Sequence, residues 1–140
     1  MALDSTASAH WEGDLISGAG QTTLSSGAAG PLDVDWRSRS EVSGPKTSPE
    51  ELIAAAHATC FSMSLSNILG KAGTPPASLD VTATATFVPG TGITAMKLVL
   101  TGDVPGVSAE DFAAAAEDAK VNCPVSKALA GNVPVTLEIV

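Results

Sequence analysis

The stretch Thr47-Ser48-Pro49-Glu50-Glu51-Leu52-Ile53-Ala54-Ala55-Ala56-His57-Ala58-Thr59-Cys60-Phe61-Ser62-Met63-Ser64-Leu65-Ser66-Asn67-Ile68-Leu69 decides how the rest of the chain must be arranged. Ser48 can cap a helix, Pro49 suits its first position, and Glu51 completes an S-x-x-E capping box. The pattern predicts a helix running to Gly70, about 22 residues and roughly 33 Å long. After its first turn it carries no charged side chain before Lys71, and small and apolar residues occur all round it. Such a helix is expected to be buried on most sides and packed closely against another helix.

Upstream, the period is two. Ala9, Trp11, Gly13 and Leu15 alternate with His10, Glu12, Asp14 and Ile16, followed by Ser17-Gly18-Ala19-Gly20 and a polar run to Ser26, which reads as a β-hairpin. A third strand is expected from Val34 to Val42. Val34, Trp36, Ser38, Ser40 and Val42 would lie on one face, and Asp35, Arg37, Arg39 and Glu41 on the other, so that both arginines point the same way.

Downstream, Val81, Ala83, Ala85 and Phe87 alternate with Thr82, Thr84 and Thr86, and Pro89-Gly90-Thr91-Gly92 turns the chain into a partner strand, Ile93 to Gly102. Ser108 is placed to cap a helix containing Phe112, Ala115, Ala116 and Ala119. Pro124 restarts a short helix to about Ala130. Val133, Val135, Leu137 and Ile139 make a final half-buried strand. The expected order is β-β-β-α-β-β-α-α-β, an α+β fold in a single domain spanning 1–140.

Composition narrows the function. The chain has 140 residues, with 15 Asp and Glu against 7 Lys and Arg, a formal charge of -8 and a pI near 4.4. Such a surface repels phosphate backbones and anionic lipid, so neither nucleic acid nor membrane is an expected partner. Ser, His, Gly or Pro interrupts the apolar stretches short of a membrane span, and Met1 to His10 lacks a basic region followed by an apolar run. A soluble, cytoplasmic protein is expected.

Gly18-Ala19-Gly20 lacks the Lys and following helix of a phosphate loop, and there is no C-x-x-C, H-E-x-x-H or G-x-S-x-G. Chemistry therefore falls to the central helix and the two cysteines, Cys60 and Cys123. They could be buried thiols, a redox couple or metal ligands. His57 and Cys60, three apart, share a helix face and with Cys123 would offer three zinc ligands, without an obvious fourth. A thiol in mid-helix gains little from the helix dipole, and apolar surroundings raise its pKa, so Cys60 needs a cation to become a thiolate. Arg37 and Arg39 are candidates, and either could hold a carboxylate such as Glu50 in a bidentate pair. Cys123 starts a short helix whose amides favour a thiolate. Local physics leaves open which cysteine attacks first.

The run from Ser48 to Ser64 resembles the first-cysteine motif of the OsmC/Ohr superfamily. Asn122-Cys123-Pro124-Val125-Ser126 resembles its second-cysteine motif, and Ala9-His10-Trp11-Glu12-Gly13-Asp14 is similar to the amino-terminal strand of the OsmC branch. The resemblance implies an OsmC-like fold, an intertwined homodimer with two active sites at its interface, and a thiol peroxidase that reduces organic hydroperoxides without metal, haem or flavin. It also implies that Cys60 is the peroxidatic cysteine, Cys123 the resolving one, and Glu50 the family glutamate. The family arginine falls on Arg39, from Arg39-Ser40-Glu41, with Arg37 the alternative. The implied reductant is a thiol or dithiol, with lipoyl-bearing proteins favoured over thioredoxin. A side-chain pocket of Ile53, Phe61 and Met63 is expected beside Cys60. The rival readings are a thiol redox sensor without turnover, and a zinc-binding structural protein built on His57, Cys60 and Cys123.

Overall fold

The amino-terminal alternation folds as a hairpin. Strand β1 (Ala7–Glu12) pairs antiparallel with β2 (Ala19–Leu24), and β2 with β3 (Leu32–Val34). The computed structural model describes residues 1–41 and 44–140, which form two compact units, Met1–Pro49 and Glu50–Val140.

The third strand expected from Val34 to Val42 does not form: β3 ends at Val34, and a helix occupies most of the expected span. After β3 comes α1 (Trp36–Ser40), a single helical turn. Its cause is local. Asp35 accepts a hydrogen bond from the Ser38 backbone N–H at 2.7 Å, the geometry of a helix N-cap, and Lys46 Nζ holds the same carboxylate at 2.8 Å. These bonds hold the Asp35 carboxyl down at about 2, Lys46 contributing most. The two arginines consequently do not share a face, because a two-residue step on a helix turns about 200°. Arg37 pairs with Glu41 at 3.4 Å on the exposed surface, whereas Arg39 lies over the Trp36 ring, 5.9 Å from its centroid. Val42, which closes the expected strand, lies outside the described residues.

In the second unit the long helix forms as predicted, α2 (Pro49–Lys71), 23 residues. It is followed by β4 (Ser78–Val88), β5 (Gly92–Asp103), α3 (Ala109–Asn122), α4 (Pro124–Leu129) and β6 (Val135–Ile139). Strands β4 and β5 form the expected antiparallel hairpin, and β6 adds parallel to β5. Ser108 caps α3 by accepting from the Asp111 N–H at 3.0 Å. Where α3 crosses the end of β5, the Phe112 ring packs onto Gly102 so closely that a Cβ there would come within 2.5 Å of its Cζ.

Phe61, Leu65 and Leu69 of α2, spaced by four, meet Leu98 and Leu100 of β5, Ala116 and Ala119 of α3, and Cys123 in one buried cluster. Each large side chain there contributes about 1.5–3 kcal/mol. Burial of α2 on most sides is not what the chain shows. Ala55, Ala56, Thr59, Met63, Ser66 and Asn67 are exposed. A row at every fourth residue meets only one surface, and the small residues on the remaining sides carry little area to bury. The interruptions seen in the sequence also understate the helix, which by length and composition is long and apolar enough to cross a membrane.

Candidate active site

Two elements bring the cysteines together. Cys60 lies halfway along α2 and is partly exposed. Cys123 lies at the junction of α3 and α4 and is wholly buried. Its N–H donates to Ala119 O at 2.8 Å, closing α3, and its carbonyl accepts from Lys127 N–H at 2.9 Å, opening α4. Pro124 takes the first position of α4, as its missing N–H and fixed φ favour. Both thiols are free. The Cys60 thiol hydrogen-bonds Cys123, 63 residues away in the chain, and the Val125 backbone N–H donates to the Cys60 sulfur.

These neighbours act in opposite directions. Burial pushes the Cys60 thiol above its ordinary value, and the Cys123 hydrogen bond and charge push the same way, while the Val125 N–H pulls it down. The net shift is upward, so within this unit Cys60 is held mainly as a thiol.

One turn before Cys60, His57 is fully buried with Nε2 2.8 Å from Ser126 Oγ. Its Nδ1 has no hydrogen-bond partner among the described residues, and burial lowers its pKa. The zinc set of the rival reading is not brought together: His57 is turned to Ser126, and among the described residues no group of three His, Cys, Asp or Glu side chains could hold a metal ion. The sequence alone assigns Ser126 no role. Its signal was its place three residues after Cys123, on the turn that follows.

Glu50 is buried in the first turn of α2, 5% exposed. Ten residues of helix separate it from Cys60, about 15 Å along the axis. Arg37 and Arg39 lie on α1 in the first unit. Of the expected pocket side chains, Phe61 is fully committed to the core and cannot line an open site, Ile53 is partly buried, and Met63 is 67% exposed.

A family model described as OsmC-like protein matches residues 42–138. The chain is 39% identical to the Peroxiredoxin OsmC of Escherichia coli (strain K12) over 99% of both chains. It is 36% identical to the organic hydroperoxide resistance protein OhrA of Bacillus subtilis (strain 168), over 66% of this chain and 67% of that one. Among solved structures, an organic hydroperoxide resistance protein OsmC from Legionella pneumophila superposes with a TM-score of 0.72 at 25% identity, covering 99% of this chain and 98% of that one. With its two cysteine motifs folded onto one another and these similarities over nearly its whole length, the chain belongs to the OsmC-like protein family.

Proposed function

We propose that this chain is a cysteine peroxidase that reduces organic hydroperoxides to alcohols with electrons from thiols. The observation that carries the reading is the meeting of a partly exposed Cys60 with a buried Cys123. The names of the Escherichia coli and Bacillus subtilis relatives support it. The Cys60 thiolate attacks the distal peroxide oxygen, the O–O bond breaks, and the alkoxide leaves as alcohol after taking a proton. The Cys60 sulfenic acid then condenses with Cys123, releasing water and forming a disulfide. An external dithiol restores both thiols, and lipoyl-bearing proteins are the class of reductant we favour.

Because Cys60 is held upward in pKa by its own unit, the thiolate requires a cation. We assign Arg39, from the Arg39-Ser40-Glu41 match, to that role and Glu50 to orienting it, with Arg37 the alternative. The exposed small-residue side of α2 supports a homodimer in which two copies cross antiparallel near Ala55. Positions 50 and 60 are equidistant from 55, so Glu50 of one copy then lies level with Cys60 of the other. Matches over 99% of the chain support one OsmC-like domain across 1–140. The cysteine usage supports a reducing, cytoplasmic setting for a soluble enzyme.

Hydroperoxide consumption measured with dihydrolipoamide as reductant tests the reading. Sustained turnover, faster with cumene hydroperoxide than with hydrogen peroxide, is expected. One stoichiometric oxidation with no turnover under any reductant would instead identify a redox sensor.

A further inference from the structure

The peroxidase steps leave His57 unused, although it is a fully buried titratable side chain one helical turn from Cys60. Its partner Ser126 is also buried, 6% exposed, and comes from the other cysteine segment. The two bonds are arranged in parallel. On α2 the order is His57 then Cys60; on the facing segment it is Cys123 then Ser126; and each polar residue stands three positions from its cysteine. The 2.8 Å hydrogen bond between His57 and Ser126 thus runs beside the thiol pair and ties α4 to α2. Stability alone gives a poor account of it. A buried imidazole whose Nδ1 finds no partner among the described residues carries a desolvation cost that an apolar side chain of similar size would not.

We infer that His57 and Ser126 are a positioning pair that fixes the start of α4, and with it the Cys123 sulfur and the Val125 N–H, against Cys60. The inference rests on the peroxidase reading, and it concerns the step after the first oxidation. Cys60 sulfenic acid has two fates. In one, the Cys123 sulfur attacks the sulfenic sulfur, an S–S bond forms, the S–O bond breaks, and the hydroxide leaves as water with the Cys123 proton. In the other, a second hydroperoxide transfers an oxygen atom to the sulfenic acid, giving sulfinic acid and a second alcohol, and the enzyme is lost. The first is intramolecular, and its advantage depends on the two sulfurs being held at attack distance. The second gains nothing from the position of Cys123. Loosening α4 therefore shifts the partition toward sulfinic acid.

The test compares the full-length reduced wild type with Ser126→Ala, His57→Gln and the double variant His57→Leu/Ser126→Ala. Each is exposed to increasing cumene hydroperoxide, quenched in acid, and read by mass spectrometry for disulfide and for Cys60 sulfinic acid. Ser126→Ala removes the bond, and its disulfide formation should slow about 10-fold with a matching rise in sulfinic acid. His57→Gln places an amide near the position of Nε2, keeps a hydrogen bond to Ser126, and should retain the wild-type partition. A role in stability alone would change the melting temperature and leave this ratio untouched in folded protein. If Ser126→Ala does not fold, the double variant carries the same expectation, because removing both partners leaves no unpaired polar group. A wild-type partition in a folded variant without the bond, or a His57→Gln partition as poor as that of Ser126→Ala, would overturn the inference. Absence of any disulfide in oxidised wild type would overturn the peroxidase reading and the inference with it.

Discussion

The backbone N–H of Val125, two residues after Cys123, donates a hydrogen bond to the sulfur of Cys60, so the segment that carries Cys123 also favours the Cys60 thiolate. Against it stand burial, the largest influence, and the Cys123 side chain, both favouring the neutral thiol. Cys123→Ala removes the second of these and leaves the Val125 amide in place. The pH midpoint for alkylation of Cys60, followed on its own peptide by mass spectrometry, should move to lower pH in this variant. A midpoint that stays or rises would show that Cys123 supports the thiolate.

The contrast in exposure separates the thiols. Cys123 is wholly buried, whereas Cys60 is partly exposed. With an aromatic disulfide reagent, folded Cys123→Ser should react rapidly through Cys60, and Cys60→Ser should react only as fast as the unit opens. In the same pair, Cys60→Ser should abolish hydroperoxide consumption, while Cys123→Ser should still form one sulfenic acid per chain. Rapid oxidation of the Cys60→Ser protein would reverse the roles.

Arg39→Ala should slow oxidation of Cys60 far more than Arg37→Ala. Loss of a charge-assisted contact of about 1.5–3 kcal/mol corresponds to a rate lower by roughly 10- to 100-fold. Arg37 is spent on an exposed pair with Glu41, so its removal should leave the rate near that of wild type. Stopped-flow tryptophan fluorescence during a single oxidation would measure both.

The assignment of Glu50 to the partner's site is open to complementation. In the proposed homodimer, Glu50→Ala and Cys60→Ser proteins, each expected to be inactive, are unfolded and refolded together. A mixed dimer joins an intact Glu50 to an intact Cys60 across the interface, and activity should partly return. No recovery, with mixed dimers demonstrated by mass, would assign Glu50 to its own chain.

His57 makes stability depend on pH. Burial lowers its folded pKa below the ordinary 6.5, so in the range between the two values the unfolded chain binds the extra proton. The stability is then complete above pH 6.5 and is lost progressively as pH falls below it. Denaturant midpoints taken from pH 7.5 down to about 5, above the main carboxylate range, should decline in wild type and flatten in His57→Gln. Parallel slopes would place the proton uptake elsewhere.

Much of this was written locally. Pro49 with the acidic residues after it, Ser108 at the start of α3 and Pro124 at the start of α4 each set a helix boundary through groups within one turn. The Thr and Val alternation of β4 and its turn at Pro89-Gly90 likewise needed no distant partner. By contrast, the alternation from Val34 to Glu41 suited a strand, and the helical turn prevailed because Asp35 reaches the Ser38 N–H and is itself held by Lys46, eleven residues on. Which row of α2 is buried was decided by the sheet and α3. The residue types around Cys60 look alike on all sides, and only packing selects the row of Phe61, Leu65 and Leu69. The sequence placed both cysteines in recognisable motifs, yet the Cys60 contacts with Cys123 and the Val125 amide, and the bond from His57 to Ser126, join residues more than 60 positions apart. No periodicity or cap acts over that distance. Those pairs exist because α4 is packed against α2 in the core, and the tertiary structure alone decides them.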